Sequence, residues 1–533
     1  MNEDPNNATK VSSNYILTYV LSKAGTAYKS LGNYNAQLGG GMQYVQVGTN
    51  FHAERMNFYD WDKGSWGGYY EQLRNVNIIN RYAVEDGNPF FEAISLTLRA
   101  YIFGFTTDIF GDIPYSESLK ADGQIYFPKY DEQKYIYQGI MTDLNRAEEL
   151  FAQSNISGFT VEQTSDILYG GNPDKWRKFT NSLRMRYAMR LYNKKEDMDA
   201  LGINIVGIFN DAARKAFTGN EDDAGIDYIG TTAENSHPGG ILASSNPPFA
   251  TKPCKTIVDK LKSLNDPRLH RWVMPVLIKW DYEVTEETEK TVTNMFGDAY
   301  TVTYLPTTNS NVDTSLYVGL PAGLVTLDAL NYNKGDYAET FHTERSPFIS
   351  FMHGRYRENK DPLLKMDLMM YSEVEFLLAE AALKGDFSVP GTAEEHYKKG
   401  IEASMKRWGV TDGQNGFSME AYYTNPEVDY SAATNKLERI MEQKWISGWL
   451  NAEPWFDWRR TGYPDLKTGP VTAFGSAIPL RFEYPTPNSD EKYMVNYNEA
   501  VSRLESTVYV PTGQTKDHSY SKMWLLQGTL KPW

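Results

Sequence analysis

Two segments of the chain place aromatic side chains beside amides and carboxylates, a combination that suits ring-shaped polar ligands. Tyr and Trp rings pack on the C–H faces of a sugar, while the sugar hydroxyls need Asn, Asp, Arg or backbone partners. The first segment, 57–66, is turn-rich and precedes a helix-like stretch. Its candidate ligand-binding residues, together with one arginine of that stretch, are Asn57, Tyr59, Asp60, Trp61, Trp66 and Arg74.

Trp61 and Trp66 are the first candidates in this segment. Trp61 stands between Asp60 and Asp62, so we expect its side chain to be exposed. Trp66 stands where a helix begins, and an apolar residue there can pack inward as a hydrophobic staple. For Trp66 the sequence leaves a ligand-facing position and an inward-packed position open.

The second segment lies in the central part of the chain, and its candidates are Trp280, Tyr282, Tyr300 and Tyr304. Trp280 ends an apolar run over 272–278, so a core role and a binding role both remain open for it. Tyr300 and Tyr304 alternate with Thr in a strand-like run, which would allow their rings to face solvent.

Residue patterns that could support catalysis are scarce. The seven His residues are scattered, and no zinc-protease, nucleophile-elbow, phosphate-loop or dinucleotide motif stands in a suitable context. Asp222 with Asp223 and Glu286 with Glu287 are adjacent in sequence, which does not supply the separation of about 5–10 Å that glycosidases need. We interpret both pairs as solvated turn charges, and we assign no catalytic residue, no metal ligand and no cofactor.

Composition limits the classes of partner. The 533 residues carry a net charge of −15, with a pI near 5.1, which argues against nucleic acid and against docking on anionic lipid. The 37 Tyr and 12 Trp residues could serve a core or a stacking surface.

The single cysteine, Cys254, excludes an intramolecular disulfide, and no apolar stretch approaches the roughly 18 residues of a membrane-spanning helix. The polar N-terminus predicts either a cytosolic protein or an exported one whose leader has been removed.

The length allows either roughly three to four domains or one composite domain over 1–533, and hydrophobic periodicity divides the chain into helical and loop-rich parts. Residues 10–217 and 366–460 carry apolar stripes at helical spacing, and the helix caps expected there are Asn88, Asp131 and a capping box over 392–395. Residues 218–365 are rich in turn-forming residues, with short strand-like runs, and loops held on a rigid scaffold are where binding usually occurs. Residues 461–533 are predicted to be irregular.

Four segments resemble the SusD/RagB family of surface nutrient-binding lipoproteins. They are 110–117 (FGDIPYSE), 371–381 with the helix over 397–408, 440–445 with 453–464, and 478–485. Residues 265–268 (NDPR) also resemble a turn of this family. Their order and their spread over most of the chain make the resemblance specific, although the loops over 280–340 have no counterpart.

The resemblance implies one composite domain over 1–533 with a mainly α fold, in which tetratricopeptide-like helical hairpins pack against a loop-rich irregular half with a few short strands. It implies no enzymatic activity, a cell-surface position on the outer membrane of a Gram-negative bacterium, and a lipid on an N-terminal cysteine that this chain lacks. Its implied partner is a SusC-like TonB-dependent transporter. It places 57–66 near the ligand face and makes 218–365 a candidate face for ligand or transporter. Gly111 and Pro114 of its first motif are expected to make a sharp turn after a long helix. For the cluster of Asp457, Arg459 and Arg460 we expect a structural role, and a contact with the transporter is the alternative.

Four functional hypotheses follow from these observations. The first is a binding protein that captures an oligosaccharide and delivers it to the transporter, acting as its lid. The second is a homologue that captures peptides. The third is a glycoside hydrolase on a helical scaffold, and the fourth is a helical-repeat adaptor that binds partner peptides and no small ligand.

Overall fold

The computed structural model describes residues 10–33, 36–47, 61, 63–244, 251–339, 345–472, 477–486 and 489–529. The fold is mainly α, with helical hairpins packed beside an irregular part that has short strands, which confirms the predicted fold class. Within these ranges, none of the helices combines the length and the apolar character needed to cross a membrane.

The helices begin in the N-terminal third and continue to the end of the chain. They are α1 (Ser13–Gly32), α2 (Gln37–Gly41), α3 (Gly67–Glu85), α4 (Pro89–Phe110), α5 (Gln133–Phe151), α6 (Pro173–Arg190), α7 (Lys195–Ala200), α8 (Ile205–Ala212), α9 (Lys255–Ser263), α10 (Leu269–Trp272), α11 (Thr326–Asn331), α12 (Tyr371–Lys384), α13 (Ala393–Arg407), α14 (Met419–Tyr423), α15 (Lys436–Ser447), α16 (Glu453–Thr461) and α17 (Glu491–Ser502).

The long N-terminal helices form a row in which successive members pack together. α1 packs on α3, α3 on α4, α4 on α5, α5 on α6, and α6 on α8. Asn88 caps α4 as predicted, because its side-chain oxygen accepts hydrogen bonds from the N–H groups of Phe90 and Phe91. Gly111 ends α4 with a φ of 93°, a conformation that favours glycine, so the predicted sharp turn after this helix is confirmed.

The C-terminal scaffold is built on the hairpin of α12 and α13, which contacts α15 and, through α12, also α6. The predicted capping box is present at the start of α13. The Glu395 N–H donates to Thr392 Oγ1 at 3.2 Å, and the Thr392 N–H donates to Glu395 Oε2 at 2.7 Å.

Buried ion pairs join the two halves of the scaffold. Arg190 of α6 binds Asp108 of α4 and Glu453 of α16. Arg186, one turn earlier on α6, lies 2.7 Å from Glu373 of α12. Because each cation has an anion from another helix, the network fixes how these helices sit against one another.

The motif residues of α16 belong to the same buried region. The Arg459 guanidinium lies 3.9 Å from the centre of the Trp455 ring, and Arg460 binds Asp457 at 3.0 Å and Glu380 at 2.7 Å. All of these side chains are buried, which confirms that the motif supports the fold.

The strands are short and pair mostly in twos. They are β1 (Val45–Val47), β2 (Ile113–Pro114), β3 (Tyr130–Asp131), β4 (Ala224–Asp227), β5 (Thr251–Pro253), β6 (Ile278–Asp281), β7 (Thr288–Thr293), β8 (Ala299–Pro306), β9 (Lys365–Met369), β10 (Glu505–Ser506) and β11 (Ser521–Lys522). β6, β8 and β7 form a three-stranded sheet, with β6 parallel and β7 antiparallel to β8. One side of this sheet packs a small second core of Trp280, Leu305, Val312 and Phe348.

One local prediction was wrong. Asp131 does not cap α5, because its carboxylate accepts from the N–H groups of Tyr115 and Ser116 at 3.0 and 2.7 Å. Asp112 takes that place from the preceding turn and accepts from the Gln133 N–H at 2.8 Å. The C-terminal segment includes one helix, α17, whose first turn is capped by Asp490, and most of its other described residues are irregular.

Candidate functional site

The first predicted segment lies partly outside the described residues: Asn57, Tyr59 and Asp60 are not among them. Trp61 is described, and the expectation that it is exposed is wrong, since only 2% of its surface is accessible. Its ring stacks on Phe482 with centroids 5.1 Å apart and lies 5.5 Å from Trp455. Trp61 therefore belongs to the core and presents no face to a ligand.

Backbone contacts explain why Trp61 is buried although an aspartate stands on each side of it in the sequence. Lys63 forms a β-bridge with Glu483, and the Gly64 N–H donates to the Glu483 carbonyl at 3.0 Å. These contacts bring the chain against the C-terminal segment, so that Trp61 enters the gap between α16 and Phe482. The charge of the flanking residues does not determine the direction of the Trp61 side chain. The backbone pairing determines it.

Trp66 occupies the inward-packed position that the sequence left open. Its ring meets Phe110 and Tyr130 edge-on, each with centroids 5.3 Å away, at the residue that precedes α3. The side chain is half-buried, so a ligand could reach only part of it. Arg74 lies exposed on α3.

The second predicted segment contributes to a cleft of about 620 Å³, which we call the first cleft. It lies at the end of the β6–β8 pair, where two turn-rich loops approach each other. Its lining residues are Trp280, Leu305, Pro306, Thr307, Thr308, Asn309, Gly335, Asp336, Tyr337, Ala338 and Glu339.

Trp280 has a core role and also lines the first cleft. Its ring stacks on Phe348 with centroids 5.2 Å apart at 6°, and its Nε1–H donates to the Asn333 carbonyl at 2.8 Å. Tyr337 packs edge-on against the same Phe348 ring, also with centroids 5.2 Å apart. The two aromatic rings of the cleft are thereby held by one buried phenylalanine.

Gly335 allows this arrangement because it has no side chain. Its φ is +56°, and a Cβ atom there would lie 3.2 Å from Cζ2 of Trp280. A larger residue would push against the indole ring, so the close approach of the 331–335 turn to Trp280 depends on glycine.

Tyr282 lies beside the first cleft and is 55% exposed. Its hydroxyl donates to the carbonyl of Asn309 at 3.3 Å, and Asn309 is a lining residue. An exposed tyrosine thus stands next to a cleft that offers Thr hydroxyls, an Asn amide and two carboxylates.

Tyr304 and Tyr300 lie away from the first cleft. In the sheet register Tyr304 pairs with Lys279, while Trp280 pairs with Leu305, so Tyr304 and Trp280 point to opposite faces. The ammonium groups of Lys279 and Lys290 lie 4.9 and 4.3 Å from the Tyr304 ring. Tyr300 is half-buried, and burial raises its pKa to about 12.

The adjacent carboxylates have local structural roles or lie in solvent. Asp222 is buried and bonds to Lys178 at 2.8 Å, and Asp223 accepts from the Tyr371 N–H at 2.6 Å, so neither is a solvated turn charge as predicted. Glu286 and Glu287 are exposed.

Sequence reasoning missed Tyr337 and the polar lining of the first cleft. The 307–311 and 331–335 stretches were recognisable as turns, because Asn, Thr, Ser and Gly are concentrated there. Their sequences carried no sign that the two turns meet at Trp280. That proximity arises from the β6–β8 register and the small core around Phe348.

The family model SusD-like_2, described as starch-binding associating with outer membrane, matches residues 5–485. A SusD homolog from Bacteroides fragilis is 26% identical, with a TM-score of 0.72, and the alignment covers 97% of this chain and 99% of that one. A second SusD homolog from the same species is 22% identical, with a TM-score of 0.72 and coverage of 97% and 100%.

A solved chitin-binding protein is also similar, at 24% identity and a TM-score of 0.70, with 96% of this chain and 99% of that chain covered. None of the curated proteins compared with the chain matches it. At these identities the two more distant structures support the fold and leave the ligand open.

Proposed function

The chain belongs to the SusD-like family of starch-binding proteins that associate with the outer membrane, and on this premise we propose that it captures an oligosaccharide without catalysis. It then delivers the ligand to a SusC-like TonB-dependent transporter, over which it acts as a lid. The first cleft is the observation that carries this proposal, because it brings aromatic rings and hydroxyl, amide and carboxylate groups together in the loop-rich part of the chain.

The chemistry of the first cleft favours a ligand without negative charge. Asp336 and Glu339 are its ionisable lining residues besides Tyr337, and both are acidic and exposed. Carboxylates accept hydrogen bonds from sugar hydroxyls and repel uronic acids or sulfated sugars. A neutral glucan, as the family description suggests, or a chitin fragment, as the name of one relative suggests, would meet this requirement.

The proposed location is the cell-surface side of the outer membrane. The anchor would be a lipid on an N-terminal cysteine. The net charge of −15 fits such an attachment, since the protein surface would gain little from anionic lipid headgroups.

Calorimetric titration of the protein with maltoheptaose and with chitohexaose tests the ligand. Tyr282→Ala should weaken binding about twofold to tenfold if its contact with a sugar is comparable to an aromatic ring contact, which contributes about 0.5–1.5 kcal/mol. Tyr126→Ala is the matched control, since Tyr126 is 60% exposed and lies outside the cleft. Failure to bind either sugar or any member of a neutral glycan array would contradict the proposal.

The same samples separate the remaining hypotheses. Tight binding of peptides in place of glycans would favour the peptide-capturing homologue, and release of shorter sugars from a bound glycan would show an enzyme. Co-purification of a SusC-like transporter with the full-length lipidated protein tests the partner. A protein that binds the transporter but no small ligand would support the adaptor hypothesis.

A further inference from the structure

A second cleft, of about 670 Å³, lies between the α9–α10 turn, the tip of the β7–β8 hairpin and the loop before α14. We propose that it is an additional binding site for a neutral oligosaccharide, with His270 and Tyr317 among its lining residues. This inference rests on the proposed function, since it assigns the same class of ligand to a different place. The first and second clefts share no lining residue.

The walls of the second cleft are fixed to one another by side-chain amides. The Asn415 amide donates to the Met295 carbonyl, which joins the loop before α14 to the hairpin tip. Asn425 Nδ2 donates to the Ser263 carbonyl at 3.1 Å, and Asn294 Nδ2 donates to the His270 carbonyl at 3.3 Å. A cleft built from three connected segments needs little rearrangement to accept a ligand.

His270 offers a polar atom that the protein itself does not use. Its Nδ1 is buried and has no hydrogen-bond partner among the described residues, although a buried polar atom normally has one. Burial lowers the pKa of His270, so its imidazole is neutral near pH 7 and can either donate or accept a hydrogen bond. Because Nδ1 is covered in the free protein, a sugar hydroxyl would reach it after a shift of the cleft wall and could then satisfy either form.

Tyr317 and Phe417 supply the aromatic surface of the second cleft. The Tyr317 ring lies 5.3 Å from that of His270 with 33° between their planes. Phe417 is half-buried in the opposite wall and contacts Tyr422, with centroids 6.2 Å apart. Aromatic rings beside an unused polar atom reproduce the chemistry by which sugars are recognised.

The charged side chains that line the second cleft are already engaged. Asp266 lies 2.6 Å from Arg268, and Lys262 Nζ donates to Ser315 at 3.0 Å and lies 3.3 Å from Asp259. A charged ligand would have to compete with these partners, whereas a neutral sugar would leave them in place. The site is thus suited to neutral glycans rather than to ionic peptides.

The β7–β8 hairpin borders both clefts. Leu305 and Pro306, at the end of β8, line the first cleft, and Met295, in the turn, lines the second. At about 3.4 Å per residue, the eight residues of β8 span roughly 25 Å. The two clefts are therefore far enough apart to hold separate ligand segments.

Three tryptophan substitutions at exposed alanines test the proposal without removing a core contact. Ala421→Trp fills the second cleft, Ala338→Trp fills the first cleft, and Ala152→Trp lies in neither. Titration uses maltoheptaose or chitohexaose, whichever the unaltered protein binds. We expect two bound oligosaccharides per chain for the unaltered protein and for Ala152→Trp, one for each blocking variant, and none for the double variant.

A further variant tests the role of His270 directly. His270→Phe keeps a ring against Tyr317 but removes Nδ1, so it should weaken the binding that Ala338→Trp leaves intact by about tenfold or less, as expected for one buried hydrogen bond. Thermal unfolding of each variant checks that the fold is retained.

The outcomes separate the two proposals. Binding of one oligosaccharide that Ala338→Trp abolishes and Ala421→Trp leaves unchanged would overturn the second site and keep the proposed function. Binding of one oligosaccharide that Ala421→Trp abolishes and Ala338→Trp leaves unchanged would support the second site and place the ligand outside the first cleft. Absence of binding to every neutral glycan would overturn both.

Discussion

The imidazole of His396 lies 2.6 Å, through Nδ1, from the carboxylate of Glu375, inside the hairpin formed by α12 and α13. Its other nitrogen, Nε2, lies 2.6 Å from the Pro390 carbonyl in the connecting loop. Both contacts are to acceptors, so both ring nitrogens carry a proton in the charged form. The Tyr371 hydroxyl also donates to Glu375 at 2.6 Å, which keeps this carboxylate in place.

This contact predicts that the stability of the protein depends on the charge of His396. Burial opposes protonation, but the hydrogen bonds to Glu375 and Pro390 outweigh it and raise the pKa of His396. A raised pKa means that the contribution is fully present below the unfolded value, near 6.5, and is lost as pH rises through the folded value. His396→Gln should thus cost about 1.5–3 kcal/mol at pH 5.5 and less at pH 9.

Urea unfolding of both proteins across this pH range measures the effect. Glu375→Gln is the companion variant, and in its background the His396 substitution should show a weaker dependence on pH. A difference between His396→Gln and the unaltered protein that stays constant from pH 5.5 to 9 would contradict the charged contact.

Loss of Arg190 is expected to be among the most damaging single changes to the scaffold. Arg190→Met leaves Asp108 and Glu453 buried without this partner, and breaking a buried pair in this way costs about 3–5 kcal/mol. Arg81→Met removes an exposed partner of Glu85 on α3 and should cost less than about 0.5 kcal/mol. Equal losses in chemical unfolding would show that the buried network does not support the helix packing.

Trp61 should affect stability rather than ligand contact. Trp61→Ala removes a ring packed on Phe482 and Trp455, with an expected loss of about 3–5 kcal/mol in the free energy of unfolding. Tyr282→Ala, at an exposed ring, should change stability by about 0.5 kcal/mol or less. A Trp61→Ala protein that unfolds like the unaltered one but binds glycan poorly would restore the sequence-based expectation.

Substitution of Gly335 should change the shape of the first cleft and therefore its affinity for a glycan. Gly335→Ala places a Cβ against Trp280 and should weaken glycan binding and also reduce stability by about 1 kcal/mol or more, because φ is positive there. Gly87→Ala is the matched control, since its φ is +61° and no atom lies within 4 Å of the added Cβ. The control should lose stability through backbone strain alone and bind as before.

Much of the scaffold was predictable from local patterns. Apolar stripes, the Asn88 cap and the 392–395 capping box each depend on residues within a few positions of one another, and the structure confirms them. The cap predicted at Asp131 failed because it depends on contacts between separate segments. Two carboxylates, Asp112 and Asp131, compete for nearby backbone donors, and their assignment depends on the β2–β3 pairing rather than on sequence position.

In the candidate site, too, some residues could be predicted from local sequence and others depend on contacts between distant segments. Trp280 and Tyr282 stand out in the sequence because they lie in a polar, turn-rich region. Tyr337 does not, because its relation to Trp280 exists only through Phe348, which both rings contact. Likewise, the alternation of Tyr300 and Tyr304 with Thr predicts a strand, but the pairing of β8 with β6 decides which face each ring occupies.

The sequence by itself determined the helical scaffold and the family, because these depend on composition, short-range spacing and motifs read in order. The tertiary structure alone decided which aromatic residues are available to a ligand. Trp61 and Trp66, the first candidates by composition, pack inward, while Tyr282 lies exposed and Tyr337 lines the first cleft. The physical reason is that exposure results from contacts between segments far apart in the chain, such as Trp61 with Phe482, and no local pattern encodes them.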